Sequence, residues 1–116
     1  MADMRAALER DRSEVEEAIR LTGRSLGRLS DAQRDTAADD EHDPEGPTLT
    51  LQRAESEAML AQSRRHLDEV EAAIARMDAG TYGLCVTCGR SIQPARLNAR
   101  PYAIDCITCA TRKEQR

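Results

Sequence analysis

Four cysteines stand in two pairs of identical spacing, Cys85-Val-Thr-Cys88 and Cys106-Ile-Thr-Cys109, separated by 17 residues. A Cys-x-x-Cys turn presents two sulfurs to one ion, and two such turns supply the four soft ligands of a tetrahedral zinc site. Gly89 follows the first pair, where a residue without Cβ lets backbone amides approach the thiolates. The second pair is placed to open a short helix whose N-terminal amides face the same charge. Four protein ligands leave no coordination position for water or substrate, so the ion is read as structural rather than catalytic. The rivals on these residues are two disulfides, an unmetallated redox pair, or iron in place of zinc.

A metal module needs something to hold, and the rest of the chain reads as helix. Only Tyr82 and Tyr102 are aromatic, while 33% of residues are charged and 40% hydrophobic. Such a composition fills narrow helix-to-helix seams better than a globular interior. Over about 3–34, Leu8, Val15, Thr22 and Leu29 recur every seven residues, with Met4, Ala18 and Ala32 on the adjoining row. Over about 48–79 the apolar series is Leu51, Ala54, Ala58, Leu60, Leu67, Val70, Ile74 and Met77, capped by Thr48 or Thr50. Pro44, Gly46 and Pro47 break the helix between them, and Gly80 stops the second one. The fold expected is all-α: an antiparallel coiled-coil hairpin over 1–79 with a tip loop at 35–47, then a zinc-finger module over 80–116 with a C-terminal helix. Two helices of this length would reach roughly 45 Å. Within the module, Pro94 starts a short helix carrying Leu97, and Ile92, Ile104 and Tyr102 are candidates to pack on the site.

Charge divides the same way. Residues 1–80 hold 11 Arg against 19 acids, a balance of −8, and residues 81–116 hold six Lys plus Arg against Asp105 and Glu114, a balance of +4. Six of the acids, Asp35, Asp39, Asp40, Glu41, Asp43 and Glu45, crowd the expected tip. A charge run is often only a solvated loop, but a turn does not require so many carboxylates, and a narrow arm would carry them into a basic cleft or toward a divalent cation.

His42 and His66 read as ordinary surface residues, and no nucleophile, Ser-His-Asp arrangement or phosphate-binding Gly loop is present, so no enzyme is expected. The opening Met1-Ala2-Asp3-Met4-Arg5 lacks the apolar run of a secretion signal, and no stretch approaches the roughly 20 apolar residues of a membrane span. A cytoplasmic protein is expected, in a compartment where cysteines bind metal more readily than they form disulfides.

The blocks Gly80-Thr-Tyr-Gly-Leu-Cys85-Val-Thr-Cys88-Gly and Pro94-Ala-Arg-Leu-Asn-Ala-Arg-Pro101, leading to Cys106-Ile-Thr-Cys109, resemble the DksA/TraR-type zinc-finger transcription regulators. The resemblance implies a partner, RNA polymerase, whose secondary channel admits the hairpin so that tip acids approach the catalytic magnesium. It implies no sequence-specific DNA contact. The family's tip pattern Asp-x-x-Asp-x-Ala falls on Asp40, Asp43 and Glu45, with Glu45 in the alanine's place and Asp39 alongside. It also implies a site for guanosine tetraphosphate near the finger. There Arg100 matches, while Glu69 and Ala110 stand where the family has lysines, and an acid beside a polyphosphate predicts weak or absent binding. Two readings from other classes compete: a nucleic-acid-binding finger using Arg90, Arg96, Arg100, Arg112 and Lys113, and a structural coiled-coil adaptor. The adaptor would dimerise, whereas the polymerase reading expects a monomer.

Overall fold

The computed structural model describes residues 2–39 and 46–115. Four helices follow one another: α1 (Ala2–Asp39), α2 (Gly46–Ala79), α3 (Pro94–Ala99) and α4 (Ile107–Glu114). The described residues form no strand, only an isolated antiparallel bridge between Leu84 and Ser91. The all-α expectation is met. The long helices run further than the apolar pattern suggested, α1 to Asp39 and α2 from Gly46. Pro47 is tolerated because a first-turn residue needs no intrahelical amide bond, and a helix that starts at Gly46 leaves Thr48 inside it rather than as its cap. The acids Asp40, Asp43 and Glu45, the side chain of Asp39 and the whole of His42 lie outside the described residues.

The chain divides into two compact units, Met1–Ser13 with Leu67–Arg116, and Glu14–His66. In the first, Leu8 of α1 packs with Val70, Ala73 and Ile74 of α2 and with Tyr82, and Met4, Met77, Leu97 and Tyr102 close around them. Leu8 and Val70 are fully buried. Each such aliphatic side chain contributes about 1.5–3 kcal/mol through area removed from water. Arg5 and Asp78 form an ion pair across the same two helices.

In the second unit only Val15 is buried among the described residues. Thr22 and Leu29 are half-buried on α1, as the sevenfold spacing predicts, and Leu26 is half-buried as well. On α2 the expected series fails in its first half: Leu51 is 60% exposed, and Ala54 and Ala58 are exposed as well. The half-buried positions are Leu49, Ser56, Leu60 and Ser63. They extend the alternating three- and four-residue steps of Leu67, Val70, Ile74 and Met77 backwards, so register overrides side-chain polarity at Ser56 and Ser63.

Helix α2 ends on a left-handed glycine. Gly80 has φ +76°, its amide donates to the Met77 carbonyl at 3.2 Å, and the Thr81 amide reaches back to the Arg76 carbonyl at 2.9 Å. This pair of reversed bonds is the Schellman motif, and it satisfies carbonyls that the helix end would otherwise leave open.

Candidate metal centre

The first knuckle is built by short backbone bonds. The Cys85 amide donates to the Arg90 carbonyl at 2.8 Å and the Gly89 amide to the Cys85 carbonyl at 2.9 Å, which curls Cys85–Gly89 into a tight turn. Gly89 takes φ +77°, a conformation costly for residues with a Cβ. The Val86 amide donates to Ile104 O at 2.9 Å and ties this knuckle to the strand of chain that enters the second. Cys106 is the residue before α4 and Cys109 lies within its first turn, so the helix start fixes the second pair. Ile92 packs against Cys85 and Cys109, with Leu97 completing the contact. Of the expected packers Ile92 lies against the cysteines, whereas Tyr102 packs on the layer of Leu8, Val70 and Tyr82, and Ile104 is 44% exposed while its carbonyl accepts from Val86.

The four sulfurs lie within 4.8 Å of one another, with Cys88 and Cys106 3.9 Å apart. Thiolates about 2.3 Å from a tetrahedral zinc sit about 3.8 Å from each other. None of the four is disulfide-bonded. Their protonation follows from the crowding. Burial works against ionisation of Cys85, but backbone donors at Cys106, Cys88 and Thr87 outweigh it and bring that thiol down to about 6. Hydrogen bonding from Cys106 and then burial push Cys109 up to about 12. Four sulfurs so close cannot all carry charge alone, and a divalent cation is what lets them do so.

A residue the sequence reading passed over organises the surroundings. Asp105 is the one buried charged side chain among the described residues. Thr87 Oγ1 donates to its Oδ1 at 2.7 Å, Lys113 Nζ to its Oδ2 at 2.8 Å, and Arg96 Nε to its backbone carbonyl at 2.9 Å. Asp105 thus connects the first knuckle, α4 and α3. Its Oδ1 is also 3.6 Å from Cys85 Sγ. The donors Lys113 and Thr87 hold the carboxyl below the usual carboxylate range, and Asp105 in turn raises Lys113. Arg76 is a second such residue: its guanidinium reaches the carbonyls of Leu84 at 2.5 Å and Ala103 at 3.4 Å, fastening α2 to the finger. Tyr82 donates its hydroxyl to Pro101 O at 2.8 Å. Backbone acceptors carry no sequence signal. The only hint for Asp105 was an acid directly before a metal ligand.

Glu69, Arg100 and Ala110 line one cavity of about 430 Å³ with Asp68, Tyr102 and Lys113. The Arg100 guanidinium lies 5.6 Å from the Tyr102 ring centroid, within cation–π range.

Helices flanking a closed four-thiolate centre define a helical protein with a C4-type zinc finger, and residues 80–115 match the family described as prokaryotic dksA/traR C4-type zinc finger. Residues 80–115 thus form a finger of the dksA/traR C4 type, whose four cysteines are set to hold one structural zinc. The chain is similar to the RNA polymerase-binding transcription factor DksA of Haemophilus influenzae, 38% identical over 55 residues, which are 47% of this chain and 38% of that protein. General stress protein 16O of Bacillus subtilis is 31% identical over 103 residues, 89% of this chain and 57% of that one. The chain therefore spans less than two thirds of the length of either. The solved structure of transcription factor DksA2 from Pseudomonas aeruginosa superimposes with a TM-score of 0.82 at 26% identity, over 98% of this chain and 82% of that one.

Proposed function

We propose that this protein is a non-enzymatic, cytoplasmic regulator of transcription that binds RNA polymerase as a monomer. The observation that carries this reading is the fold-level likeness to DksA2 over 98% of the chain. The match over 55 residues to a relative named for polymerase binding supports it. On this reading 1–79 is the arm and 80–116 its anchor. The arm enters the secondary channel, where Asp40 and Asp43, flanked by Asp39 and Glu45, act electrostatically on the catalytic magnesium or the basic groups around it. Crosslinking from a photoreactive residue at position 42 to purified RNA polymerase is expected to label the channel. The double substitution Asp40→Asn with Asp43→Asn is expected to abolish the effect on initiation and leave polymerase affinity within about threefold, because single ion pairs at a wet interface contribute little to docking. Normal regulation by the double variant would remove the tip from the mechanism.

Response to guanosine tetraphosphate through Arg100 is weak on this reading. In the cavity that holds Arg100, Asp68, Glu69 and Asp105 offset the charge of Arg96, Arg100 and Lys113 and weaken its pull on polyphosphate. Micromolar binding dependent on Arg100 would overturn that.

A further inference from the structure

A second cavity, about 420 Å³, opens onto the metal centre and differs from the first in charge: Arg90, Arg112 and Arg96, the last bordering both cavities, line it with Cys88, Cys106 and Cys109, and no carboxylate does. We propose that it is a binding site for a small phosphate-bearing ligand, such as a nucleoside di- or triphosphate, gripped by these three arginines.

The arginines come from three elements that the metal centre holds in place. Arg90 follows Gly89 on the first knuckle, and Arg96 sits in α3 with its Nε fixed on the Asp105 carbonyl. Arg112 is four residues after Thr108 on α4, so the two share a helix face, and Thr108 lines the same cavity. Among the described residues neither the Arg90 nor the Arg112 side chain makes an ion pair or hydrogen bond, and Arg96 spends only one of its donors. Three guanidiniums lining one cavity, each with donors left over, suit the bidentate geometry of phosphate oxygens.

Compensation of the thiolates alone does not account for the set. A zinc ion with four thiolates carries −2, and three arginines exceed it while Lys113 already answers Asp105. The remaining lining donors, Ser91 and Gln93, are neutral. The volume suits a small ligand. Enclosure by three elements favours a compact polyanion over an extended nucleic-acid backbone. This site is independent of polymerase binding, and its test needs only the full zinc-loaded chain.

Calorimetric titration of that chain with inorganic pyrophosphate and with GTP is expected to show saturable binding that weakens as salt rises. The double variant Arg90→Ala with Arg112→Ala is expected to bind about 10- to 100-fold more weakly, with zinc content unchanged by elemental analysis. On the unaltered protein, amide shifts induced by pyrophosphate are expected at Ser91, Ile107 and Thr108 and not at Glu69 or Ala110, which keeps the test valid should the variant fold poorly. Absence of binding at millimolar ligand, shifts confined to the Glu69 cavity, loss of binding in Arg100→Ala alone, or binding of a DNA duplex without binding of pyrophosphate or GTP would each overturn the assignment.

Discussion

The two units are built from the same two helices and are held by different means. In Met1–Ser13 with Leu67–Arg116, large buried side chains, a capped helix end and specific polar ties such as Asp105 and Arg76 converge on the metal ligands. In Glu14–His66 the described contacts are a half-buried seam that includes Thr22, Ser56 and Ser63, with Leu21, Leu51 and Met59 exposed. The difference teaches that fixed geometry in this protein is concentrated where the thiolates are. The other unit relies on helix continuity and a thin apolar line, so its local opening is expected to be cheaper.

Removing the zinc is the strongest way to break this contrast. Chelation, or Cys85→Ser, is expected to abolish amide protection across 80–115 and loosen the Leu8–Val70 layer, because metal binding and folding of such modules are one process worth about 10 kcal/mol or more. Protection within 14–66 should change far less. Zinc titrated into the metal-free chain near neutral pH should release protons, since thiols with an ordinary value of about 8.5 must give theirs up to ligate the ion. A metal-free protein with full protection across the finger would refute the account.

Leu8→Ala is next, expected to cost about 2–5 kcal/mol in urea unfolding because it opens a cavity between both long helices and Tyr82. Asp105→Asn should be milder: zinc release to a chelating dye about 10- to 100-fold faster, as for other residues that orient metal ligands. Its pH dependence has a definite sign. The folded carboxyl is depressed, so its contribution is complete above the ordinary value of about 3.9 and disappears as pH falls through the lowered one. Lys113 is raised, so its share is complete below about 10.4 and is lost only in stronger alkali. The gap between wild type and variant should stay constant from about pH 6 to 8, where both partners keep their charge. The smallest effect is expected for Leu51→Ala, within about 0.5 kcal/mol, because the side chain is solvent-facing despite its hydrophobicity.

Much of this was legible in the residues. The paired cysteines declare the site, Gly80 and Pro94 mark where one helix stops and another starts, and the sevenfold row of α1 names its buried face. What escaped did so for physical reasons. Leu51, Ala54 and Ala58 look apolar, but the helix cannot change phase between Ser56 and Leu67, so serines took the inner positions. Arg76 and Asp105 act through carbonyls and partners 8 to 27 positions away, and nothing in local spacing shows such a pairing.

The reversed turn at Gly80 has a mechanical corollary. Thr81 and Tyr82 both donate to the Arg76 carbonyl, so no unconstrained residue separates the end of α2 from the finger. The joint behaves as a weld rather than a swivel: twisting α2 about its own axis would carry the thiolate knuckles with it. An added or deleted residue there would turn the helix by about 100° against the knuckles, since 3.6 residues complete one turn. Insertions and deletions should therefore be shed from that junction and accumulate elsewhere in the chain.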